Sequence, residues 1–235
     1  MDITEQHLRA LTKEVDDQHS AGMAELPRQI AELHHGEGRR VLAPPRPGTM
    51  IGTALVAGAL TIPLAAAFRA YAADGGDGGV AAFAESVELA AVEAYKAAAA
   101  SGLVTVKAVL DAATMFAGHH QEHAAGFGAA AGTAATKKPN PMLLAAVAGQ
   151  LKQATDQAGV LKIAFDLENA AASTYVFALG ALTSPAALQL TASILPVEAQ
   201  HAVVLGQVLS LPASAYLPSF ETTATAVTPD KFPIG

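Results

Sequence analysis

Two sets of carboxylate and imidazole side chains recur with matching spacing along this chain. In each half a glutamate is followed seven positions later by a tyrosine: Glu88 with Tyr95, and Glu168 with Tyr175. About 30 residues after each glutamate stand two potential metal ligands separated by three positions: His120 with His123, and Glu198 with His201. Carboxylates and imidazoles arranged in this way on successive helices surround a pair of metal ions in four-helix bundles. The sequence therefore predicts a metal site.

The composition favours a helical protein. Of the 235 residues, 51% are hydrophobic and 15% are charged, which supplies enough apolar material for a core. Alanine is abundant, aromatic residues make up only 5%, and runs of β-branched residues are scarce. Because such a composition suits closely packed helices better than sheets, we expect an all-α protein.

Charge and cysteine content exclude several classes of function. The net charge is −7, all arginines lie at or before Arg69, and no basic face for nucleic acid is apparent. The absence of cysteine excludes disulfides, thiolate metal ligands and thiol catalysis. We therefore expect no nucleic acid as a partner.

From position 80 onward, capping signals divide the chain into helices. We predict long helices at about 80–100, 104–127, 151–181 and 185–209, with an additional helical piece at 142–150. Gly102 is suited to end the first helix, and Ser184 is a suitable N-cap before Pro185. The tail after Leu211 has no periodicity and is expected to wrap around the surface.

The helical period predicts that the potential ligands point inward. Glu88 and Tyr95 share a face with Ala84 and Ala91, and the third long helix repeats this pattern. Each unpaired charge in a core costs several kcal/mol, so the six ionisable side chains require compensating partners. Two metal cations would provide them; the alternative is hydrogen bonding of the acids to imidazoles and tyrosine hydroxyls.

The region at about 80–209 resembles a ferritin-like domain, in particular the secreted or desiccation-related ferritin-like family of bacteria. The resemblance implies an antiparallel four-helix bundle with a long crossover between its second and third helices. It also implies a pair of iron or related metal ions bound by Glu, Glu-x-x-His, Glu and Glu-x-x-His. The residues that match this pattern directly are Glu88, His123, Glu168, Glu198 and His201.

Position 120 departs from the pattern of this family, which carries glutamate there. The substitution leaves three carboxylates, so two divalent ions would give a site with a charge of about +1. A carboxylate can bridge two metal ions, whereas a neutral imidazole binds one ion through one nitrogen. Oxidised iron would therefore be less well neutralised at His120 than in a site with four carboxylates.

Four further side chains are expected around the site. A phenol such as Tyr95 or Tyr175 could bond a ligand carboxylate, supply an electron or simply pack in the core. His119 is interpreted as a flanking residue that could replace His120 if the register shifts. Glu122 faces away from the site on a regular helix and would join it only through a π-bulge.

The remaining polar residues are expected away from any site. Glu85 is interpreted as a solvated rim residue, and Glu93 and Asp166 as surface residues. The N-terminal histidines show no helical partner arrangement beyond chance, although His34-His35 could bind metal adventitiously: His7, His19, His34 and His35.

The N-terminal third is interpreted as a targeting segment rather than as part of the folded domain. Arg39 and Arg40 precede an uncharged run at 49–68, and Ala70-Tyr71-Ala72 fits a small-x-small cleavage site. This arrangement resembles a twin-arginine export signal. The alternatives are an uncleaved transmembrane helix and, less favoured, a buried core helix. Either of the first two would put the bundle outside the cytoplasm, in the periplasm or cell wall or secreted.

These signals divide the chain into five segments. They are a polar leader at 1–38, a signal or transmembrane segment at 39–72, a Gly/Asp linker at 73–79, the bundle at 80–209 and a Pro-containing tail at 210–235. The low charge on the outer faces of the helices suggests self-association, for example a homo-oligomer, or proximity to a membrane.

Function is less determined than the site. We expect a metal-binding protein of the cell envelope, with two iron ions that react with oxygen or peroxide as a ferroxidase or peroxide-consuming oxidoreductase. Manganese or zinc could occupy the same ligands. The alternative is a non-catalytic or purely structural bundle in which the metal is mononuclear or absent.

Overall fold

The computed structural model describes residues 3–35, 61–218 and 223–234. Within these ranges the chain is all-α, as predicted, and contains no strand. Short 3₁₀ helices occur at Gly132–Ala134 and Ala213–Ala215. The α-helices are α1 (Glu5–His35), α2 (Thr61–Ala100), α3 (Lys107–Ala131), α4 (Pro141–Leu151), α5 (Gln157–Leu179) and α6 (Pro185–Val208).

The predicted capping signals explain where two of these helices begin. The Ser184 hydroxyl accepts a hydrogen bond from the Ala187 N–H at 3.3 Å, and Pro185 stands in the first turn of α6. At the start of α4, the Asn140 side chain accepts from the backbone N–H groups of Met142 and Leu143. Each side-chain oxygen thus satisfies backbone donors that the first turn of a helix leaves free.

Four helices, α2, α3, α5 and α6, form the bundle that surrounds the core. Helices α2 and α3 run antiparallel. Tyr95, late in α2, packs edge-on against Phe116, earlier in α3, with ring centroids 6.0 Å apart, whereas Glu85, earlier in α2, lies beside Gly128, late in α3. Helices α5 and α6 form the second hairpin. The long connection between α3 and α5 includes α4, which packs on α2 and α5.

The segment predicted as a Gly/Asp linker at 73–79 lies within the range of α2. Gly76 interrupts the helix with φ 59° and ψ −161°, a left-handed conformation that glycine adopts without a Cβ penalty. One residue later, the Asp77 carboxylate accepts from the backbone N–H groups of Thr183, at 3.0 Å, and Ser184. Asp77 therefore connects this segment to the loop before α6.

Helix α1 packs against α6 and α3, although the N-terminal segment was expected to lie apart from the fold. Leu8, Val15 and Leu26 are buried on the bundle, and His19 is buried with them. Positions 8, 15, 19 and 26 recur at helical spacing, so they form one stripe on α1. Through this stripe α1 packs on the bundle, which a segment that serves only as a targeting signal would not need to do.

The predicted signal or anchor at 39–72 falls largely outside the described residues, and only its end, from Thr61, lies in α2. In the described ranges, none of the helices combines the length and the hydropathy that a membrane crossing requires.

The C-terminal tail packs on the bundle, in agreement with the expectation that it wraps around the surface. The Val227 N–H donates to the Thr174 hydroxyl at 2.8 Å, and the Asn140 side chain donates to the Phe232 carbonyl at 2.8 Å. Ala226 and Val227 are buried against α4 and α5. The tail therefore covers the outer side of the hairpin that contains α5.

Candidate metal centre

The six residues predicted as ligands come together in the middle of the bundle, and none is more than 1% exposed. Their oxygen and nitrogen atoms form two groups, and within each group the atoms lie within 4.8 Å of one another. One group is Glu88, His120, His123 and Glu198; the other is His120, Glu168, Glu198 and His201. His120 and Glu198 belong to both groups, so they lie between two potential ion positions.

Helical spacing brings these side chains to one level of the bundle. On α3 and on α6 the two ligands are three positions apart, which places both on the same face of the helix. Helices α2 and α5 each add one glutamate, Glu88 and Glu168, from the opposite side. Because the two halves have the same spacing, each of the four bundle helices contributes at least one side chain to the site.

His120 occupies the centre of the hydrogen-bond network. Its Nδ1 lies 2.7 Å from Glu88 Oε2, and its Nε2 lies 3.2 Å from Glu168 Oε1. His201 Nδ1 lies 3.2 Å from the other oxygen of Glu168. The two nitrogens of His120 therefore face the two halves of the site.

His123 and Glu198 are close to each other but poorly satisfied. His123 Nδ1 lies 2.8 Å from Glu198 Oε1, without the alignment of a hydrogen bond. Among the described residues, neither nitrogen of His123 and neither oxygen of Glu198 has a hydrogen-bond partner. Buried polar atoms are rarely left in this state, and unmade bonds on a carboxylate and an imidazole are what a cation would satisfy.

The charges of the cluster shift its pKa values strongly. Burial would lower the pKa of His120 and His123, but the neighbouring carboxylates outweigh it, so the pKa of His120 lies well above 6.5 and that of His123 is about 9. Burial would raise the pKa of Glu88 and Glu168, but the facing imidazoles lower both. Without a metal ion, protons on the imidazoles thus neutralise the carboxylates.

Two tyrosines bond the carboxylates, as one of the sequence alternatives proposed. The Tyr95 hydroxyl donates to Glu168 Oε1, and the Tyr175 hydroxyl donates to Glu88 Oε1. Burial, followed by the charge of Glu168, raises the pKa of Tyr95 well above 10. The phenol of Tyr95 is therefore protonated at neutral pH and acts as a donor.

The two flanking residues on α3 lie in different surroundings. His119 is buried, with Nδ1 2.9 Å from His201 Nε2. Burial, followed by the nearby His201, lowers its pKa to about 3. Glu122 points outward, with 56% of its side chain exposed and Oε2 3.8 Å from His19 Nδ1. Helix α3 contains no π-bulge that would turn Glu122 inward.

Sequence reasoning missed the contribution of α1 to the surroundings of the site. The His19 ring stacks on His119 with centroids 3.8 Å apart, and Asp16 Oδ1 lies 3.1 Å from His119 Nε2. His19 belongs to neither ligand group, but its contact with His119 was not expected from the sequence. Its place on the same stripe as Leu8, Val15 and Leu26 is the signal that could have identified it.

The position of Glu85 also differs from the one expected from the sequence. It was expected at a solvated rim, but it is only 5% exposed. Its Oε2 accepts hydrogen bonds from the backbone N–H groups of Thr136, at 2.6 Å, and Lys137, at 3.2 Å. Glu85 therefore holds the connection after α3 in place, whereas Glu93 and Asp166 are exposed and pair with nearby lysines, as expected for surface residues.

Fold and site together define a helical-bundle protein with a buried cluster of carboxylates and imidazoles. The family model described as a ferritin-like domain matches residues 76–211, which is more than half of the chain. The chain therefore belongs to the ferritin-like domain family, as its resemblance indicated. Searches among curated proteins and among solved structures give no match.

Proposed function

We propose that the bundle binds two metal ions, with iron as the expected metal, and that the pair reacts with oxygen or peroxide. The observation that carries this proposal is the pair of overlapping ligand groups that share His120 and Glu198. A mononuclear site would need only one such group. Two groups with two common members match the layout of a dinuclear centre.

The donor set fits such a centre. Carboxylates and neutral imidazoles suit ferrous iron, manganese and zinc, and the site contains three of each. The unsatisfied atoms of His123 and Glu198 would gain partners on binding. Metal ions would also replace the protons that hold the imidazoles and carboxylates together, because a metal-bound imidazole is deprotonated at the binding nitrogen.

Each proposed ion has its own ligands in addition to Glu198, whose two oxygens can serve both ions, and His120, whose neutral ring would bind one of them. Glu88 and His123 would hold one ion, and Glu168 and His201 would hold the other. Two ferrous ions held in this way would supply two electrons, which together with two protons from solvent suffice to reduce peroxide to water or dioxygen to peroxide. The tyrosine hydroxyls that bond Glu88 and Glu168 fix the orientation of these carboxylates and retain their protons.

The choice of metal depends on the charge of the ligand set. Three carboxylates leave two divalent ions with an excess of one positive charge, and ferric ions with more. The tyrosines are neutral donors and do not reduce this excess. The site is thus better matched to divalent ions, so manganese or zinc are the alternatives to iron.

A non-catalytic metal-binding protein is the second candidate, and the burial of the site favours it. The six side chains are 0–1% exposed, whereas a catalyst must admit its substrate to the ions. In this case the ions would stabilise the bundle or be sequestered. Turnover of peroxide by the loaded protein separates the two candidates.

The proposed location is outside the cytoplasmic membrane, either exported or anchored by one N-terminal helix. The support is in the sequence: Arg39 and Arg40 precede an uncharged run at 49–68. Cell fractionation combined with determination of the N-terminus of the purified protein tests this proposal. A cytoplasmic protein that begins at Met1 would contradict it.

The metal content of the purified protein tests the proposed centre. We would determine it by elemental analysis for the native protein and for a Glu168→Gln, Glu198→Gln double variant. The matched control is Glu93→Gln, Asp166→Asn, which changes two exposed carboxylates on α2 and α5. Two iron or manganese ions per chain, retained in the control and lost in the double variant, are expected.

Other metal contents would contradict the proposal in distinct ways. A single zinc or other ion per chain would indicate a mononuclear site. The absence of metal from native protein that also binds none on addition of ferrous iron, manganese or zinc would leave the structural bundle as the function.

A further inference from the structure

A chain of hydrogen bonds connects the metal centre to the surface through α1. Asp16 Oδ1 lies 3.1 Å from His119 Nε2, His119 Nδ1 lies 2.9 Å from His201 Nε2, and His201 Nδ1 faces Glu168 Oε2 at 3.2 Å. His119 and His201 are almost completely buried, while half of the Asp16 side chain is exposed. This series of hydrogen bonds thus begins at the solvent-exposed Asp16 carboxylate and ends at the proposed metal ligands.

The Asp16 carboxylate fixes the order of donors and acceptors along this series of hydrogen bonds. A carboxylate accepts only, so His119 must donate to Asp16 from Nε2 and must accept at Nδ1. His201 therefore donates to His119 from Nε2, which leaves its Nδ1 for the site. Nδ1 is also the nitrogen that lies 3.5 Å from Glu198, the glutamate common to both ligand groups.

We propose that Asp16 is a positioning residue for the metal centre, which fixes the tautomers of His119 and His201 so that His201 presents Nδ1 to the metal. The inference rests on the proposed metal centre and adds a helix that lies outside the four ligand-bearing ones. A carboxylate that accepts from a ligand imidazole, here through a second imidazole, orients the ring and raises its basicity.

The contacts of α1 hold Asp16 at the required position. Three polar pairs join this helix to α3 and α6 along its length: Arg9 with Asp111 at 2.8 Å, Gln18 with Gln200 at 2.9 Å and Gln29 with Gln189 at 2.9 Å. The His19 ring, stacked at 3.8 Å, supports one face of His119. The ring of His119 is thus held in its plane as well as at both nitrogens.

Zinc affinity is the first test, because zinc is redox-inert and its binding needs no assay of turnover. We would titrate the full-length protein with zinc against a chromophoric chelator for wild type, Asp16→Ala, Asp16→Asn and Asp17→Ala. Loss of a partner in the outer shell of a metal site typically costs about 10–100-fold in affinity, which we expect for Asp16→Ala. Asp16→Asn, which retains an acceptor oxygen, should lose less.

Asp17→Ala is the matched control, since Asp17 is the neighbouring carboxylate on α1 and pairs only with Lys13 among the contacts described. It should bind zinc as wild type does. Equal affinity for wild type and Asp16→Ala would overturn the role of Asp16 while leaving the metal centre intact. A wild-type protein that binds no zinc would instead contradict the metal centre itself.

The tautomer of His119 provides a readout that a merely structural role would not produce. In ¹⁵N-labelled protein, imidazole NMR should show the His119 proton on Nε2, both without metal and with zinc. This proton should exchange slowly with water in wild type and Asp17→Ala, and faster in Asp16→Ala. A proton on Nδ1 of His119 would overturn the proposed chain whether or not zinc binds.

Discussion

The Tyr95 hydroxyl on α2 donates to the Glu168 carboxylate on α5, and Tyr175 on α5 donates in return to Glu88 on α2. Each hairpin therefore provides a carboxylate to the centre and a phenol that holds the carboxylate of the other hairpin. The repeated interval of seven residues between glutamate and tyrosine is the sequence counterpart of this exchange. These two tyrosine–glutamate hydrogen bonds thus connect the two halves of the bundle without requiring a metal ion.

Removal of either hydroxyl should weaken the centre. Tyr95→Phe and Tyr175→Phe each leave a buried carboxylate oxygen with fewer donors, and a hydrogen bond to a charged group contributes about 1.5–3 kcal/mol. We expect each variant to lose about this much stability in urea unfolding of the metal-free protein. Tyr216→Phe is the control, because the Tyr216 ring packs beside Gly206 and not on a carboxylate of the cluster, and it should unfold as wild type does.

The stability of the metal-free protein should depend on pH in a specific window. The pKa of His123 rises from 6.5 to about 9 on folding, so its contribution is complete below pH 6.5 and is lost as pH rises toward 9. The lowered pKa of Glu168 acts in the opposite direction: its contribution is present above pH 4.5 and is lost in acid. Because the pKa of His119 is lowered to about 3, stability should also fall as pH drops below 6.5, so unfolding in urea should show maximal stability near pH 6.5. A flat profile would contradict the assigned charges.

Metal affinity should rise over the same interval in which the metal-free protein loses stability. Binding displaces the His123 proton below its pKa of about 9, and each displaced proton increases the apparent affinity about tenfold per pH unit. Zinc titrations between pH 6.5 and 8.5 would measure the slope. A pH-independent affinity would mean that the imidazoles are already neutral in the free protein.

A methyl group at position 128 should displace Glu85. A Cβ on Gly128 would lie 2.6 Å from Glu85 Oε1, and this carboxylate cannot move without losing its bonds to Thr136 and Lys137. We expect Gly128→Ala to reduce stability by about 1–3 kcal/mol, the cost of leaving a buried polar group unsatisfied. The measurement is equilibrium unfolding in urea.

Gly118→Ala is the matched control on the same helix, because a Cβ there would meet nothing within 4 Å. Alanine favours the helix over glycine by about 1 kcal/mol, so this variant should be more stable than wild type. Destabilisation by both variants would show that the effect at position 128 does not arise from Glu85.

Loss of the Asp77 carboxylate should destabilise the start of α6. Asp77→Ala removes the acceptor for the backbone N–H groups of Thr183 and Ser184, and we expect a loss of about 1–2 kcal/mol, as for a helix N-cap. Hydrogen exchange of these two amides should become faster. Asp166→Ala, at an exposed pair with Lys162, should leave their exchange unchanged.

The inward-facing cluster could be predicted from the sequence because helical spacing brings Glu88, His123 and Glu198 to the inner faces of their helices. The role of Glu85 could not, since its partners are backbone amides of an irregular connection whose path no periodicity encodes. His19 could have been identified from its stripe on α1. Its contact with His119, however, depends on how two helices pack, which requires the tertiary structure.

The two ligands on α6 determine when the centre can form during synthesis of the protein. Glu198 belongs to both groups and His201 completes one of them, yet α6 follows α2, α3 and α5 along the chain. A nascent chain that ends before α6 contains neither complete group, even though α2, α3 and α5 are already available. Assembly of the proposed centre therefore requires translation through α6.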